Sequence, residues 1–223
     1  MPDDLARYLI DAAEILSIPI DYRQSEQFLH YGRTLEEWNR TTNLTAIEDE
    51  REVVIKHFVD SIAPLRYGFP WDYASILDIG AGAGFPSIPL KIMRPDLRMT
   101  LLEPNSKKVS FLLHLVGTFQ FKDVTVVGQT LKEFARQSRR HFDCALVRAL
   151  SLITIGKDLA NILSPDGMVL AYRSALMQQD DVPLAWMSQK EWSYELPFGY
   201  GHRVLALLEL VKPDVPRGTK KLT

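Results

Sequence analysis

Hydrophobic positions in the first part of the chain recur at helical spacing. Leu5 and Leu9 belong to one apolar stripe, a second pattern runs over about 22–40, and a third covers about 50–65. Prolines and a glycine then interrupt the pattern between positions 64 and 70, as at a boundary between two parts. We therefore expect residues 1–68 to form a helical N-terminal extension.

From Ser75 onward, short apolar runs alternate with helical patterns, which is typical of a parallel sheet covered on both faces. The last two runs lie too close together for a crossover helix, so they predict a terminal antiparallel hairpin. This gives an α/β fold with a seven-stranded, mostly parallel sheet over residues 69–212, followed by a basic tail at 213–223. The predicted strands lie near 75–80, 98–103, 123–128, 142–147, 166–172, 192–198 and 203–211, and the predicted helices near 87–94, 106–118, 130–137, 152–163 and 176–189.

The most informative motif follows the first of these strands. Residues 77–84 read Leu-Asp-Ile-Gly-Ala-Gly-Ala-Gly, and glycines at such positions allow a tight turn with a ligand close to the backbone. Asp78 comes two residues before the first glycine, so we expect its carboxylate to lie at the mouth of this turn. Glu103 ends the next predicted strand, where an acid can hold the ribose hydroxyls of a nucleotide. The pattern predicts a pocket for a cofactor that contains adenosine.

The spacing of the glycines favours one such cofactor. A dinucleotide site needs Gly-x-Gly-x-x-Gly, but the third glycine position counted from Gly80 is occupied by Phe85, and Pro86 then has no N–H to offer a phosphate. The charge of Asp78 would repel a pyrophosphate and attract the ammonium and sulfonium of S-adenosylmethionine (SAM). We therefore predict SAM as the cofactor. A structural glycine turn and a dehydrogenase remain the alternatives.

Composition limits the other possibilities. A chain of 223 residues with 46% hydrophobic and 24% charged residues suits one α/β domain with an appendage. Cys144 is the single cysteine, so neither an intrachain disulfide nor a thiolate metal cage can form, and we expect this cysteine to be a small buried residue. No basic-apolar leader opens the sequence and no apolar run reaches the ~20 residues that span a bilayer. We therefore expect a cytoplasmic protein that holds no metal and binds no membrane.

The net charge of −2 conceals an asymmetry along the chain. Residues 1–60 hold 13 acids against 6 Lys/Arg, whereas residues 61–223 hold 15 acids against 20 Lys/Arg. Clustered cations attract a phosphate backbone through counterion release, although unequal surface decoration explains the asymmetry equally well. The basic clusters are Lys107-Lys108, then Arg136, Arg139 and Arg140, and in the tail Lys212, Arg217, Lys220 and Lys221.

Taken together, these motifs make the chain resemble the bacterial small-subunit ribosomal RNA methyltransferases of the RsmG (GidB) family, over about residues 31–212. The glycine loop is shared by many methyltransferases, but the Trp-Asn…Asn-Leu-Thr stretch together with His-x-x-Asp-Ser is much more specific to this family. The segments that carry the resemblance are Glu37-Trp38-Asn39 with Asn43-Leu44-Thr45-Ala46-Ile47, His57-Phe58-Val59-Asp60-Ser61, Leu77 to Pro86 with Ile88-Pro89-Leu90, Lys107-Lys108 with Phe111-Leu112, and Phe142-Asp143 with Arg148-Ala149.

The resemblance implies a Rossmann-like class I SAM-dependent methyltransferase that methylates N7 of one guanine in 16S rRNA of the small ribosomal subunit. The substrate would be the rRNA, the 30S subunit or its assembly intermediate, and we expect a monomer. The predicted catalytic residues are Arg148, His57 and Asp60. The predicted cofactor-binding residues are Asp78, Gly80, Gly82, Gly84, Phe85, Glu103, Gln129, Thr130 and Arg148. The predicted RNA-binding residues are Lys107, Lys108, Tyr172, Arg173, Arg203, Arg217, Lys220 and Lys221.

The chemistry of guanine N7 sets what these residues need to do. N7 carries a lone pair and no proton, so no general base has to act before methyl transfer. A donor on N7 would block that lone pair, so we expect Arg148 to bind O6 or a phosphate. His57, Asp60 and Ser61 are spaced i, i+3 and i+4, on one face of a helix, where they could also simply lock that helix to the sheet. Two other functions stay open: a methyltransferase for a small metabolite, and a non-catalytic RNA-binding factor that keeps SAM as a ligand.

Overall fold

The computed structural model describes residues 2–69 and 74–211. Seven strands form one sheet in the order β3-β2-β1-β4-β5-β7-β6. The pairs among β1 to β5 are parallel, whereas β7 runs antiparallel to both β5 and β6. The strands are β1 (Ser75–Ile79), β2 (Arg98–Leu102), β3 (Val124–Val127), β4 (Phe142–Arg148), β5 (Leu163–Arg173), β6 (Trp186–Glu195) and β7 (His202–Leu210).

The N-terminal extension consists of helices, as the periodicity predicts. Helix α2 begins with a capping box, in which Asp21 accepts from the Gln24 backbone and the Gln24 side chain accepts from the Asp21 backbone. A π-helical turn, Val54–Val59, joins α3 to α4, and a 3₁₀ turn, Ala63–Tyr67, follows. The helices of the extension are α1 (Pro2–Ile15), α2 (Tyr22–Thr42), α3 (Glu50–Val53) and α4 (Asp60–Ile62).

Helices cover both faces of the sheet. One face packs against α5 (Ser87–Met93), α6 (Ser106–Thr118) and the N-terminal helices, in a core that continues from Phe28 and Phe58 to Ile76 of β1 and Phe111 of α6. The other face packs against α7 (Leu131–Gln137) and α8 (Leu152–Ala160). Because the extension shares a core with the sheet, it lies directly against the elements that build the ligand-binding edge.

The predicted sheet and its terminal hairpin are confirmed, but the predicted helix at 176–189 is wrong. Within that range the structure has a short 3₁₀ turn, Gln179–Asp181, and β6 already begins at Trp186. Pro183 cannot occupy a helix interior without breaking it. Trp186 pairs with Leu210, and its indole N–H donates to the Gly156 carbonyl over 3.1 Å. Pairing with β7 therefore decides the conformation of a segment whose apolar spacing alone favours a helix.

Three predicted RNA-binding residues, Arg217, Lys220 and Lys221, lie outside the described residues. Within residues 2–69 and 74–211, no helix is long and apolar enough to cross a membrane. Over the same ranges, no group of three or more His, Cys, Asp and Glu side chains is placed to hold a metal ion. Cys144 is fully buried in β4, as expected for a small core residue.

Candidate active site

The glycine loop lies at the carboxyl end of β1, between that strand and α5. The N–H groups of Gly80 and Ala81 donate to the Leu102 carbonyl of β2, over 2.9 and 3.0 Å. Gly80, Gly82 and Gly84 have φ angles of 70°, 58° and 93°, a backbone conformation that side chains disfavour. The three glycines therefore bend the chain across the ends of β1 and β2, where parallel sheets bind their ligands.

Glu103 lies beside this loop, immediately after β2. One carboxylate oxygen accepts from the Gly82 N–H over 2.9 Å, and the other accepts from the Asn105 N–H over 2.9 Å. The side chain is 6% exposed. A carboxylate can accept further hydrogen bonds at the remaining lone pairs, so Glu103 suits the hydroxyls of a ribose. This donor and acceptor set fits an adenosine cofactor.

Asp78 occupies a different place from the one its position in the sequence suggests. Its side chain is 1% exposed and accepts a hydrogen bond from the Ser87 hydroxyl at the start of α5. Burial raises the pKa of Asp78 to about 7, although the bonds from Ser87 act in the opposite direction. The carboxyl group therefore lies beneath the loop and not at its mouth, and its predicted attraction for the cofactor stays a prediction.

Gln129 and Thr130 follow β3, next to the end of β2. The Thr130 hydroxyl and the Glu133 carboxylate form a capping box at the start of α7, and Glu133 also accepts the Thr130 N–H over 2.9 Å. The Gln129 N–H donates to the Val127 carbonyl over 3.0 Å. Both backbone N–H groups are thus engaged within the loop, and the predicted contact of these residues with the cofactor stays a prediction.

Phe85 and His57 stack face to face where the loop meets the N-terminal extension. Their ring centroids lie 4.4 Å apart at an interplanar angle of 15°. His57 Nε2 lies 2.8 Å from the Thr45 hydroxyl, and Nδ1 lies 3.4 Å from Arg148 Nη2. Both ring nitrogens of His57 therefore face a polar partner. Burial, reinforced by the Arg148 charge, lowers the pKa of His57 to about 3, so the ring is neutral at neutral pH.

Arg148 ends β4 and reaches across to the helical segment that contains His57. Its Nη2 donates to the Lys56 carbonyl over 2.7 Å and lies 3.3 Å from Asp60 Oδ2, and its Nη1 lies 3.4 Å from the Ser61 hydroxyl. The predicted common face of His57, Asp60 and Ser61 is therefore confirmed, because one guanidinium contacts all three. The side chain of Arg148 is 21% exposed, so the helical segment holds one side of the guanidinium while another part faces solvent.

Asp60 is the anion at the centre of this network. Its Oδ1 accepts the Tyr194 hydroxyl over 2.8 Å and lies 3.8 Å from Arg203 Nε, in addition to the contact with Arg148. The Asp60 side chain is 3% exposed. A buried carboxylate needs such partners, and here they come from β4, β6 and β7. The network joins the N-terminal extension to the last strands of the sheet.

Tyr172 belongs to the same network but does not offer an open stacking surface. The residue is 8% exposed, and its hydroxyl donates to the Ser61 carbonyl over 2.8 Å. Its predicted contact with RNA stays a prediction. Tyr31 and Tyr194, in contrast, are functional candidates that the sequence reasoning did not include. Each lies in an otherwise regular helical or strand pattern, so no local signal distinguishes them from ordinary core residues.

The remaining predicted RNA-binding residues lie apart from this network. Lys107 and Lys108 open α6, whose N-terminus is capped by the Asn105 side chain, at the same sheet edge as Glu103. Arg173 follows Tyr172 but pairs with Asp181, with Nη2 and Oδ2 2.6 Å apart. The structure thus brings together His57, Asp60, Arg148, Tyr172 and Arg203, but not the two lysines or Arg173.

Solved structures of other proteins share this fold. MtNAS, determined in complex with MTA and tNA, is similar with a TM-score of 0.59 and 13% identity over 95% of this chain and 87% of that one. TrmN from Thermus thermophilus is similar with a TM-score of 0.55 and 16% identity over 68% of this chain and 48% of that one. Such identities speak to the fold alone. With the strand order described above, they confirm the predicted Rossmann-like class I methyltransferase fold.

Sequence comparisons are more specific. The family model for GidB, described as rRNA small subunit methyltransferase G, matches residues 24–198. A relative in Lactococcus lactis subsp. cremoris (strain MG1363) is 36% identical over 97% of this chain and 93% of its own length. Another, in Roseiflexus sp. (strain RS-1), is 40% identical over 73% of this chain and 70% of its own length. Both are named ribosomal RNA small subunit methyltransferase G. The predicted class, a SAM-dependent methyltransferase, is confirmed, and the chain belongs to the GidB family of rRNA small subunit methyltransferases G.

Proposed function

We propose that this protein transfers the methyl group of SAM to N7 of one guanine in 16S rRNA. Membership of the GidB family supports a substrate in the small ribosomal subunit. The observation that carries the proposal is the position of Arg148, at the carboxyl end of β4, next to the glycine loop and partly exposed. A guanidinium at this edge is suited to a guanine O6 or to a phosphate beside the reacting base.

Different residues of the pocket would bind different parts of the cofactor. Glu103 would accept the ribose hydroxyls, and the loop from Gly80 to Gly84 would let the ligand lie against the backbone. When bound, SAM supplies a methyl group made electrophilic by its sulfonium sulfur. The protein then has to place guanine N7 in line with that group, and alignment of this kind supplies much of the rate in such reactions.

His57 suits a reaction without proton transfer. Its lowered pKa keeps the ring neutral, and its Nδ1 and Nε2 are both engaged, so it does not serve as a general base. We assign it a positioning role: stacked on Phe85 and bonded to Arg148, it shapes the wall between the glycine loop and the guanidinium.

Asp60 is likewise a positioning residue. It holds Arg148 in one orientation and offsets the guanidinium charge near a base that becomes cationic on methylation. Arg148 is then the catalytic residue of the proposal, since its partly exposed guanidinium only donates and suits a guanine O6 or a phosphate, whereas Asp60 is buried and both ring nitrogens of His57 are engaged.

RNA would approach the sheet edge that carries these groups. Lys107 at the start of α6 is exposed there, and Arg203 lies beside Asp60 at the start of β7. We propose that these cations, with Lys108, Arg173 and the tail residues Arg217, Lys220 and Lys221, contact the phosphate backbone. Such contacts would make binding fall with added salt. The setting would be the cytoplasm, with the 30S subunit or its assembly intermediate as the partner.

The test is a methyl-transfer assay with isotopically labelled SAM. Stripped 30S subunits and naked 16S rRNA from cells lacking the gene are offered in parallel with a pool of small metabolites, and mass spectrometry locates the modified nucleotide. We expect label in one guanine, as 7-methylguanosine, in the RNA arms. Label in a metabolite would support the alternative function, and label at another atom of the RNA would overturn the N7 assignment.

A further inference from the structure

The glycine loop receives a hydrogen bond from outside the α/β domain. The hydroxyl of Tyr31, in the middle of α2, donates to the backbone carbonyl of Ala83, between the second and third loop glycines. Both residues are buried, Tyr31 completely. Burial raises the pKa of Tyr31 well above its ordinary value, so the hydroxyl remains protonated and can donate. A helix of the N-terminal extension therefore touches the loop at its backbone.

The ring of Tyr31 is held in place by its neighbours. Its centroid lies 5.2 Å from that of Phe58 and 5.3 Å from that of Phe85, and the Phe111 ring packs at 6.5 Å. These contacts come from the π-helical turn, the loop and α6. With the ring fixed on three sides, the direction of the hydroxyl is set by packing and not by the loop itself.

The loop is fitted closely around this hydroxyl. A Cβ built at Gly84, where φ is 93°, would lie 2.9 Å from the Tyr31 oxygen and 2.6 Å from Ile88 Cγ1. The first part of the loop is anchored differently, by Leu102 at Gly80 and by Glu103 at Gly82. Tyr31 thus anchors the far half of the loop, next to Phe85.

We propose that Tyr31 is a positioning residue for the glycine loop, through which the N-terminal extension helps to set the affinity for SAM. This inference rests on the proposed use of SAM at this loop. Without the hydroxyl, the buried Ala83 carbonyl loses a donor, and the loop then populates conformations that satisfy this carbonyl in other ways. Ligand binds the competent fraction only, so the apparent Kd rises by the inverse of that fraction.

Calorimetric titration with S-adenosylhomocysteine tests this inference without relying on turnover. Tyr31→Phe keeps the ring and its packing, so the chain stays folded, and we expect the Kd to rise roughly three- to tenfold, the range that loss of one buried hydrogen bond allows. The matched control is Tyr8→Phe in α1, which loses the hydroxyl of a partly exposed tyrosine in the same extension, where the ring stacks on Phe198 away from the loop. We expect that variant to bind like the wild type.

Hydrogen exchange provides a second measurement. In the ligand-free protein, Tyr31→Phe should speed exchange of the amides over 80–85, whereas α8 should exchange as in the wild type. An unchanged Kd with unchanged loop exchange would overturn the inference, as would an equal loss of affinity in Tyr8→Phe. Failure of the wild type itself to bind S-adenosylhomocysteine would be a different result, because it would overturn the proposed cofactor site.

Discussion

Arg148 Nη2 lies 3.3 Å from Asp60 Oδ2, which ties the end of the central strand β4 to a helix of the N-terminal extension. Tyr194 and Arg203 approach the other oxygen of the same carboxylate, from the two strands of the terminal hairpin. Three parts of the chain thus meet at one buried anion beside the glycine loop. The arrangement makes the extension part of the candidate active site and not an appendage to it.

Removing the carboxylate should be costly for stability. Asp60→Ala leaves the Arg148 charge and the Tyr194 hydroxyl without this partner, so we expect the free energy of unfolding to fall by about 3 kcal/mol. Urea denaturation measures it. The matched control is Glu36→Ala, which breaks the exposed pair with Arg40 and should change stability by less than about 1 kcal/mol. Equal effects of the two substitutions would show that the buried network contributes little.

Arg148 should matter for turnover more than for cofactor binding. Arg148→Ala removes a charge that is preorganised at the reacting centre, so we expect kcat on 30S subunits to fall by about 100-fold or more. Although Arg148 is also among the predicted cofactor-binding residues, its guanidinium contacts Lys56, Asp60 and Ser61, so binding of S-adenosylhomocysteine should stay close to the wild-type value. Arg148→Lys should recover only part of the rate, since an ammonium cannot reproduce the planar fork. The control is Arg136→Ala, an exposed arginine of α7, and full activity in Arg148→Ala would contradict the assignment.

His57 should make stability depend on pH. Its pKa is lowered to about 3 in the folded protein, below the ordinary value of 6.5, so between these values the unfolded chain binds the extra proton. This contribution to stability is present above pH 6.5 and is lost as the pH falls from 6.5 towards 3, with a slope of at most ~1.4 kcal/mol per pH unit. Urea denaturation of His57→Gln from pH 4.5 to 7.5 should show a shallower dependence. The exposed-ring control His30→Gln should follow the wild type, and an unchanged slope in His57→Gln would refute the prediction.

Asp78 should change the pH dependence of stability in the opposite direction from His57. Its pKa is raised from 3.8 to about 7 in the folded state, so the folded protein binds the extra proton between these values, and stability falls as the pH rises through this window. Asp78→Asn removes that penalty, and we expect its unfolding free energy at pH 8 to exceed that of the wild type, on the order of a few kcal/mol. Ser87→Ala, which removes the hydroxyl donor, should be less stable than the wild type at pH 8. A destabilised Asp78→Asn at pH 8 would show that the carboxylate is better satisfied than burial suggests.

Two glycine substitutions should have opposite effects. Gly84→Ala places a side chain on a residue whose φ is 93°, and its Cβ would lie only 2.6 Å from Ile88 Cγ1. We therefore expect the free energy of unfolding to fall by about 2 kcal/mol and the binding of S-adenosylhomocysteine to weaken. Gly117 lies in α6 with nothing within 4 Å of its added Cβ. Gly117→Ala should stabilise the protein by roughly 0.5–1 kcal/mol without affecting binding. Thermal unfolding and calorimetry on both variants give the comparison, and a neutral Gly84→Ala would argue against a tightly shaped loop.

Local signals in the sequence were sufficient for most of the architecture. Alternation of apolar runs and helical patterns predicted the strands and the terminal hairpin, because burial on both faces of a parallel sheet demands continuous apolar segments. The alternating glycines and Glu103 predicted the candidate ligand-binding edge, since both features depend on residues next to each other or one βα unit apart. The helix predicted at 176–189 is wrong because its apolar spacing is ambiguous and because its last residues, from Trp186, pair with β7, which comes later in the chain.

Contacts between distant segments were decided by packing alone. Asp78 lies within β1, one residue before the strand ends, and only the packing of α5 against the sheet places its carboxyl group against the Ser87 hydroxyl beneath the loop. Nothing near Tyr31 or Tyr194 in the chain distinguishes them, yet the fold aims one hydroxyl at Ala83 and the other at Asp60. Periodicity and motif spacing describe what each segment is, because they arise from neighbouring residues. Which segments meet depends on how the helical extension packs against the sheet. At that contact Tyr31 anchors the glycine loop, and Asp60 pairs with Arg148.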